Sequence, residues 1–193
     1  HTVALFDAMP SVGRKFLQAG KGGMNLTHSE PYADFVQRYG PAADFMAPLL
    51  AQFGADALRD WAQGLGVETF VGSSGRVFPC DMKAAPLLRA WLQRLREQGV
   101  QFHVRHQWLG WQSDERLRFM TPDGERLVRA DACLFALGGA SWPRLGSTGA
   151  WVNLFAARGI DIQPLKPSNC GFEMGWSDHF RSRFAGVPLK SVV

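Results

Sequence analysis

Cysteine is scarce in this sequence: Cys80, Cys133 and Cys170 lie far apart, with no CxxC spacing and no histidine at ligand distance along the chain. That excludes a disulfide-stapled framework and gives no sign of a structural zinc site. Long apolar runs are missing too. None approaches the ~20 residues needed to cross a bilayer, and no charged start followed by an apolar stretch marks a signal peptide, so a reduced, cytoplasmic setting without membrane partners is expected. Basic residues do not cluster: Lys+Arg of 21 against Asp+Glu of 17 gives a net charge of +4. Arg14, Lys15, Arg76, Arg89, Arg94, Arg96, Arg105 and Arg116 are dispersed, which suits a cationic pocket for an anion and argues against a nucleic-acid tail. Nucleophile motifs are absent as well. G-x-S-x-G does not occur, and His1, His28, His103, His106 and His179 have no neighbouring Ser or Cys elbow.

What the chain does have is apolar and aromatic bulk, with 193 residues, 46% hydrophobic, 14 Phe and 7 Trp. A disordered segment is thereby excluded, and the length suffices for one ordinary core or two small ones. The first residue is His1 rather than Met and the last residues are apolar, so the sequence reads as a fragment.

The run VALFDA (Val3 to Ala8) is apolar and ends in an acid, as a buried parallel strand does when its carboxyl end faces a ligand crevice. Pro10 stops it. SVGRKFLQAGKGGMNLTHSE follows, with Gly13, Gly20, Gly22 and Gly23 inside eleven positions, and reads as a long loop around one helical turn. Helices are predicted over Asp44 to Phe53, Ala55 to Gly64 and from Asp81 to Gly99. In the last of these Asp81 is the candidate N-cap, Pro86 lies in the first turn, and Leu87, Leu88, Trp91, Leu92 and Leu95 share one face. VETFV reads as a strand, VQFHVRHQW as one alternating strand, and LRFMTPDGERLV as a hairpin turning at Asp123-Gly124. ACLFAL (Ala132 to Leu137) is a fully apolar strand candidate entering Gly138-Gly139, and Ala150 to Arg158 is helical.

This order of elements predicts an α/β architecture with a parallel sheet and a small antiparallel β-meander crossover. A change of register after Pro164 sets a domain boundary near residues 163–167, giving units 1–163 and 164–193. Ligands of such sheets bind beyond the carboxyl ends of the strands.

Asp7 stands where a dinucleotide fold places the carboxylate that accepts from two ribose hydroxyls; the other reading is a solvated turn residue. The GxGxxG fingerprint expected ~20 residues upstream is not in the sequence. Gly20, Gly22 and Gly23 let backbone approach a ligand closely, and Arg14 and Lys15 supply charge for a pyrophosphate; a turn-rich surface loop is the alternative. Gly138-Gly139 is a second pinch point or a simple turn. Ser147, Thr148 and Gly149 read as a cap for the helix that follows, whose N-terminal amides would then face an anion; ordinary capping is the more frequent explanation. Trp108, Trp111 and Trp142 read as core or ring-stacking walls.

Taken together, VALFDA, GRKFLQAGKGGMNLTHSE, SSGRVFPCDMKAAPLLRAWLQRL and ALGGASWPRLGSTGAW resemble, in order, the bacterial YhiN/BaiN-like FAD-dependent flavoproteins. The resemblance implies a Rossmann-like, two-dinucleotide-type FAD-binding domain, with an inserted β-rich domain beginning near Pro164. It puts Asp7 on the adenosine ribose, and Gly13, Arg14 and Lys15, then Gly20, Gly22, Gly23, Met24 and Asn25, along the pyrophosphate toward the flavin. Gln107 and Trp108 lie near the adenine on this reading, and Gly138 and Gly139 match the family's ATGG-type turn. GKGGMN replaces the family's common GGGRCN, so Met24 stands where a Cys often sits. The implied activity is a FAD-dependent oxidoreductase reduced by NAD(P)H acting on a small-molecule acceptor; a non-catalytic nucleotide- or anion-binding module is the alternative.

Overall fold

The computed structural model describes residues 2–167 and 174–185, and the chain separates into two compact units, residues 1–162 and 163–193. In the first unit, strand β1 (Ala4–Asp7) pairs in parallel with β5 (Gln101–Val104), Ala4 opposite Gln101 and Asp7 opposite Val104. The chain between them runs through helix α1 (Arg14–Ala19), strand β2 (Thr27–His28), helices α2 (Tyr32–Gln37), α3 (Ala43–Gln52) and α4 (Ala55–Gln63), strands β3 (Thr69–Val71) and β4 (Arg76–Pro79), and helix α5 (Ala84–Glu97). Strands β2, β4 and β3 form a small antiparallel sheet, with β4 central.

The buried apolar residues of this part come from α5, β4 and α4, the last of which meets α5 through Trp61 and Trp91 at 5.2 Å between ring centroids. Leu87 and Val77 are fully buried, and Ala62, Ala84, Leu88 and Met24 are buried as well. The apolar stripe predicted for α5 therefore faces inward as its 3.6-residue period requires. Its start differs from expectation. The cap position is Lys83, and Asp81 instead accepts the Lys83 amide at 3.1 Å, a local Asx turn outside the helix.

VQFHVRHQW does not remain one strand. Arg105 takes φ 57°, and the chain divides into β5 and β6 (Gln107–Trp111). The one sign of the break in the sequence is His106 in an apolar position, which leaves Arg105, His106 and Gln107 polar in succession and which a single strand also accommodates. Strand β6 leads a meander with β7 (Leu117–Thr121) and β8 (Gly124–Val128), all antiparallel, and Gly124 opens β8 as the turn signal requires.

The largest departure is Ala132 to Leu137, which forms no strand and has no ladder partner among the described residues. Its side chains alternate in exposure, Leu134 and Ala136 outward, Phe135 and Leu137 half-buried, where a fully apolar buried strand is expected from the sequence. Phe135 packs with Trp108 at 4.8 Å and Phe155 at 5.2 Å between ring centroids, while Leu134 is 94% exposed. Helix α6 (Trp151–Ala156) supplies Phe155 and follows a loop that carries Ser141 and Ser147.

In the second unit, the described residues hold helix α7 (Asp178–Phe184), capped by Ser177, whose hydroxyl accepts the Phe180 amide at 3.3 Å. The predicted β-rich insert and Cys170 fall partly or wholly outside the described residues. Cys80 and Cys133 are free and exposed. No helix among the described residues is long and apolar enough to cross a membrane.

Candidate functional site

At the carboxyl end of β1 the chain turns sharply, and the Asp7 side chain holds that turn. Its Oδ1 accepts the Met9 amide at 2.8 Å, while the Asp7 and Met9 carbonyls accept the His106 and Arg105 amides at 3.0 Å. The break between β5 and β6 thus serves the β1 turn. No Lys, Arg or His among the described residues pairs with the Asp7 carboxylate, so its second oxygen stays available as an acceptor.

Helix α1 begins after Gly13, which takes a left-handed φ of 73°. Gly13 and Gly20 bring α1 tightly onto α5: a Cβ on Gly13 would lie 2.7 Å from Leu88, and one on Gly20 would lie 2.4 Å from the Ala84 Cβ. Packing explains the missing side chains at these two positions. The same close fit fixes Arg14 and Lys15 in the first turn. The Arg14 Nε is buried without a partner. Lys15 Nζ donates to Ser141 Oγ at 2.9 Å and to Ser147 Oγ at 3.1 Å, and no carboxylate among the described residues pairs with it.

The Gly138-Gly139 turn lies in this same network. Ser147 Oγ donates to the Gly139 carbonyl at 2.8 Å, and the Trp151 indole N–H donates to the Gly138 carbonyl at 3.0 Å. Gly146 in turn backs onto Met9, where a Cβ would come within 3.0 Å of the thioether chain. Asp7, Lys15, Gly138 and Gly139 are therefore brought to one end of the parallel strand pair. A small cleft of about 220 Å³, lined by Phe135 to Gly138, Trp151 and Phe155, adjoins the turn.

The remaining candidates are placed differently. Gly22 has open space above its Cα at φ 85°, whereas Gly23 lies against Met82 and Phe78. Met24 is buried, its amide donating to the Met82 carbonyl at 3.0 Å, and the Asn25 amide donates to the carbonyls of Thr27 at 2.7 Å and Val77 at 3.2 Å. Asn25 thus ties the second half of the glycine loop to β4, and Met24 ties it to the turn between β4 and α5. Gln107 is exposed opposite Met120, and Trp108 belongs to the aromatic cluster with Trp111, Phe135 and Phe155, its indole nitrogen buried without a partner.

Ser147 corrects the sequence reading. It does not cap the next helix, whose N-cap Ala150 has no side-chain cap bond; it joins Lys15 to Gly139. Ser141, Trp151 and Met9 were not anticipated at all. Their partners lie 126, 13 and 2 residues away in sequence, and the long separation of Ser141 from Lys15 leaves no local pattern to read. Elsewhere, a crevice of about 450 Å³ is lined by Asp56, Arg59, Asp60, Gln63, Glu68, Thr69 and Cys80. None of these residues belongs to the glycine loop or the Gly138 turn. The described residues contain no cluster of three His, Cys, Asp or Glu side chains able to hold a metal.

The family described as the HI0933-like protein Rossmann domain matches residues 1–192. The chain belongs to this HI0933-like family. Among curated proteins it is 26% identical over 166 residues to a 3-dehydro-bile acid delta(4,6)-reductase of Clostridium scindens, covering 86% of the chain and 40% of that relative. It is 25% identical over 191 residues to a ribosomal RNA dihydrouridine synthase of Haemophilus influenzae, covering 97% of the chain and 47% of that relative. The chain thus spans less than half the length of either curated relative. Membership gives the Rossmann-like α/β fold directly, and the parallel pair β1–β5 with α1 and α5 between its strands is the corresponding part of the structure.

The residues present fit a dinucleotide. An unpartnered buried guanidinium nitrogen, an ammonium held by neutral hydroxyls, an available carboxylate oxygen and an open glycine backbone complement phosphates and ribose hydroxyls.

Proposed function

We propose that this chain forms part of the FAD site of an oxidoreductase reduced by NAD(P)H. The observation that carries the reading is the Lys15 ammonium, held by two hydroxyls and no carboxylate beside the Gly138-Gly139 turn, with the Arg14 Nε buried and unpartnered next to it. Lys15 is exposed to solvent, so its ammonium, uncancelled by any carboxylate among the described residues, is open to an anionic ligand, and the pyrophosphate of a dinucleotide is an anion of that kind.

Lys15 and Arg14 bind that pyrophosphate, Asp7 accepts from the ribose hydroxyls, and Gly22, Gly138 and Gly139 leave backbone bare for close approach. Gly13, Gly20 and Gly23 set the path of the loop, and Met24 and Asn25 pin its far end to Met82 and to β4 respectively. Gln107 and Trp108 border the adenine side. The flavin itself supplies hydride acceptance and donation. The chain's part is binding, orientation and the positive field at the phosphates.

The acceptor is a small molecule. The basic residues form no run along the chain, so no basic tail for a nucleic acid is present in the sequence, which supports this reading. The names of the curated relatives, one a bile acid reductase and the other a dihydrouridine synthase acting on ribosomal RNA, accord with reductive chemistry in the family. Free Cys80 and Cys133 accord with a reducing, cytoplasmic setting.

The test is the visible spectrum of the native protein as the cell makes it. Flavin absorbance that bleaches on adding NADH or NADPH, and returns with a small-molecule acceptor but not with RNA, is the expected result. A colourless protein that fails to take up added FAD overturns the assignment. Nucleotide binding without bleaching leaves a non-catalytic binding module.

A further inference from the structure

Ser147 is the one buried polar residue recorded among the described residues, at 5% exposure. Burying a hydroxyl is unfavourable unless both its donor and acceptor capacities are used. Here both are used, and by groups far apart in sequence: Ser147 Oγ accepts from Lys15 Nζ at 3.1 Å and donates to the Gly139 carbonyl at 2.8 Å. Its own amide donates to the Trp142 carbonyl at 3.1 Å, so the residue is held from the backbone as well.

Two consequences follow from the geometry. The first concerns the cation. An ammonium has three donors, and Ser141 and Ser147 occupy two with neutral oxygens that direct the charge without cancelling it. The second concerns the turn. Trp151 holds the Gly138 carbonyl and Ser147 holds the Gly139 carbonyl. Because a trans peptide is planar with N–H opposed to C=O, fixing these two carbonyls also fixes the Gly139 and Ala140 amides, directed away from Trp151 and Ser147. Neither amide donates to a protein acceptor among the described residues.

We infer that Ser147 is a positioning residue that, through Lys15 on one side and Gly139 on the other, presents the ammonium and the Gly139 and Ala140 amides to a phosphate of the bound nucleotide. This rests on the FAD reading above and adds to it the residue that couples the glycine loop to the glycine turn. The two halves of the anion cradle lie more than a hundred residues apart, and one hydroxyl aligns them.

FAD titrated calorimetrically into the deflavinated native protein tests the coupling. Ser147→Ala and Lys15→Met are each expected to weaken FAD about tenfold, the effect of one charge-assisted contact, and the double variant by clearly less than the product of the two, because both act on the Lys15 charge while only the Ser147 change also releases the Gly139 carbonyl. Acetylation of Lys15, read by mass spectrometry without FAD, is expected to run several-fold faster in Ser147→Ala, with Lys21 and Lys83 unchanged as exposed controls within the same sample.

If the two losses multiply in the double variant, or Lys15 is acetylated at the same rate with and without the Ser147 hydroxyl, the positioning role is overturned while the FAD reading stands. If the wild-type protein takes up no FAD, both are overturned. Near-ultraviolet circular dichroism of Ser147→Ala that departs from wild type would move the acetylation comparison to Ser147→Cys, where the same acceleration is expected and its lack overturns the role.

Discussion

Gly20→Ala separates a packing glycine from a ligand-facing one. At φ −81° and ψ 0° the backbone of Gly20 is open to alanine, so the substitution carries no conformational penalty. What it carries is a collision, since the new methyl would lie 2.4 Å from the Ala84 Cβ and 3.1 Å from the Ala84 amide nitrogen. Carbon atoms rest at about 3.5–4.0 Å, so α1 must retreat from α5 by about 1 Å. Overpacking of this kind costs about 1–3 kcal/mol, and the struck atom is a rigid Cβ at the start of a helix, so a loss of about 2 kcal/mol is expected. Ala84→Gly alone costs about 1 kcal/mol through helix propensity and a lost buried methyl. Together the two changes restore one methyl in the same gap, and the combined loss should be about 1–1.5 kcal/mol instead of the ~3 of the simple sum. Urea unfolding followed by tryptophan fluorescence reports this directly, because Trp91 on α5 meets Phe16 of α1 and Trp61. A neutral Gly20→Ala, or two losses additive within about 0.5 kcal/mol, refutes the packing account of Gly20.

Two further outcomes follow from the interior. Leu87→Ala empties a fully buried site on α5 and should lower stability by about 3 kcal/mol, measured by the same unfolding curves; a loss under about 1 kcal/mol would contradict the placement of the core. His103 stacks on Phe6 at 4.6 Å, and burial, then the nearby charge of Arg126 and of His106, holds its imidazole below the ordinary range. The native state thus binds the His103 proton less readily than the unfolded chain. Stability from this residue is complete above about pH 6.5 and declines as pH falls below it toward the lowered native value. Comparing unfolding midpoints at pH 7.5 and 5.5, both about one unit from that value, should show the decline in the wild type and a smaller one in His103→Gln; equal declines would count against it.

The elements with a strong local signal were legible in sequence. Helix α5 announces itself through Leu87, Leu88 and Trp91, and the β7–β8 hairpin through Asp123-Gly124, because period and turn chemistry are local properties. The β5–β6 break was hidden because a single residue, Arg105, adopts positive φ to serve contacts with Met9 and Asp7 that lie almost a hundred positions upstream. Ala132 to Leu137 shows the reverse case: the unbroken apolar composition is that of a buried strand, yet a strand is defined by its neighbour, and none is present among the described residues. At the site, Lys15, Gly138 and Gly139 could be singled out by residue type, but the serine that binds them together reads locally as a helix cap. Glycines that look equivalent in sequence divide by what stands over them, α5 for Gly13 and Gly20, open space for Gly22.

Residues 132–137 also bear on how this molecule behaves in concentrated solution. ACLFAL has no charge, no proline and an outward row headed by a leucine almost wholly in water, beside backbone groups free to accept a ladder. Such a stretch recruits whatever extended chain it meets first. Two copies of these residues handled without a covering strand will therefore tend to zip together along this edge, and a lysine replacing Leu134 on the open side should keep them apart without disturbing Phe135 beneath.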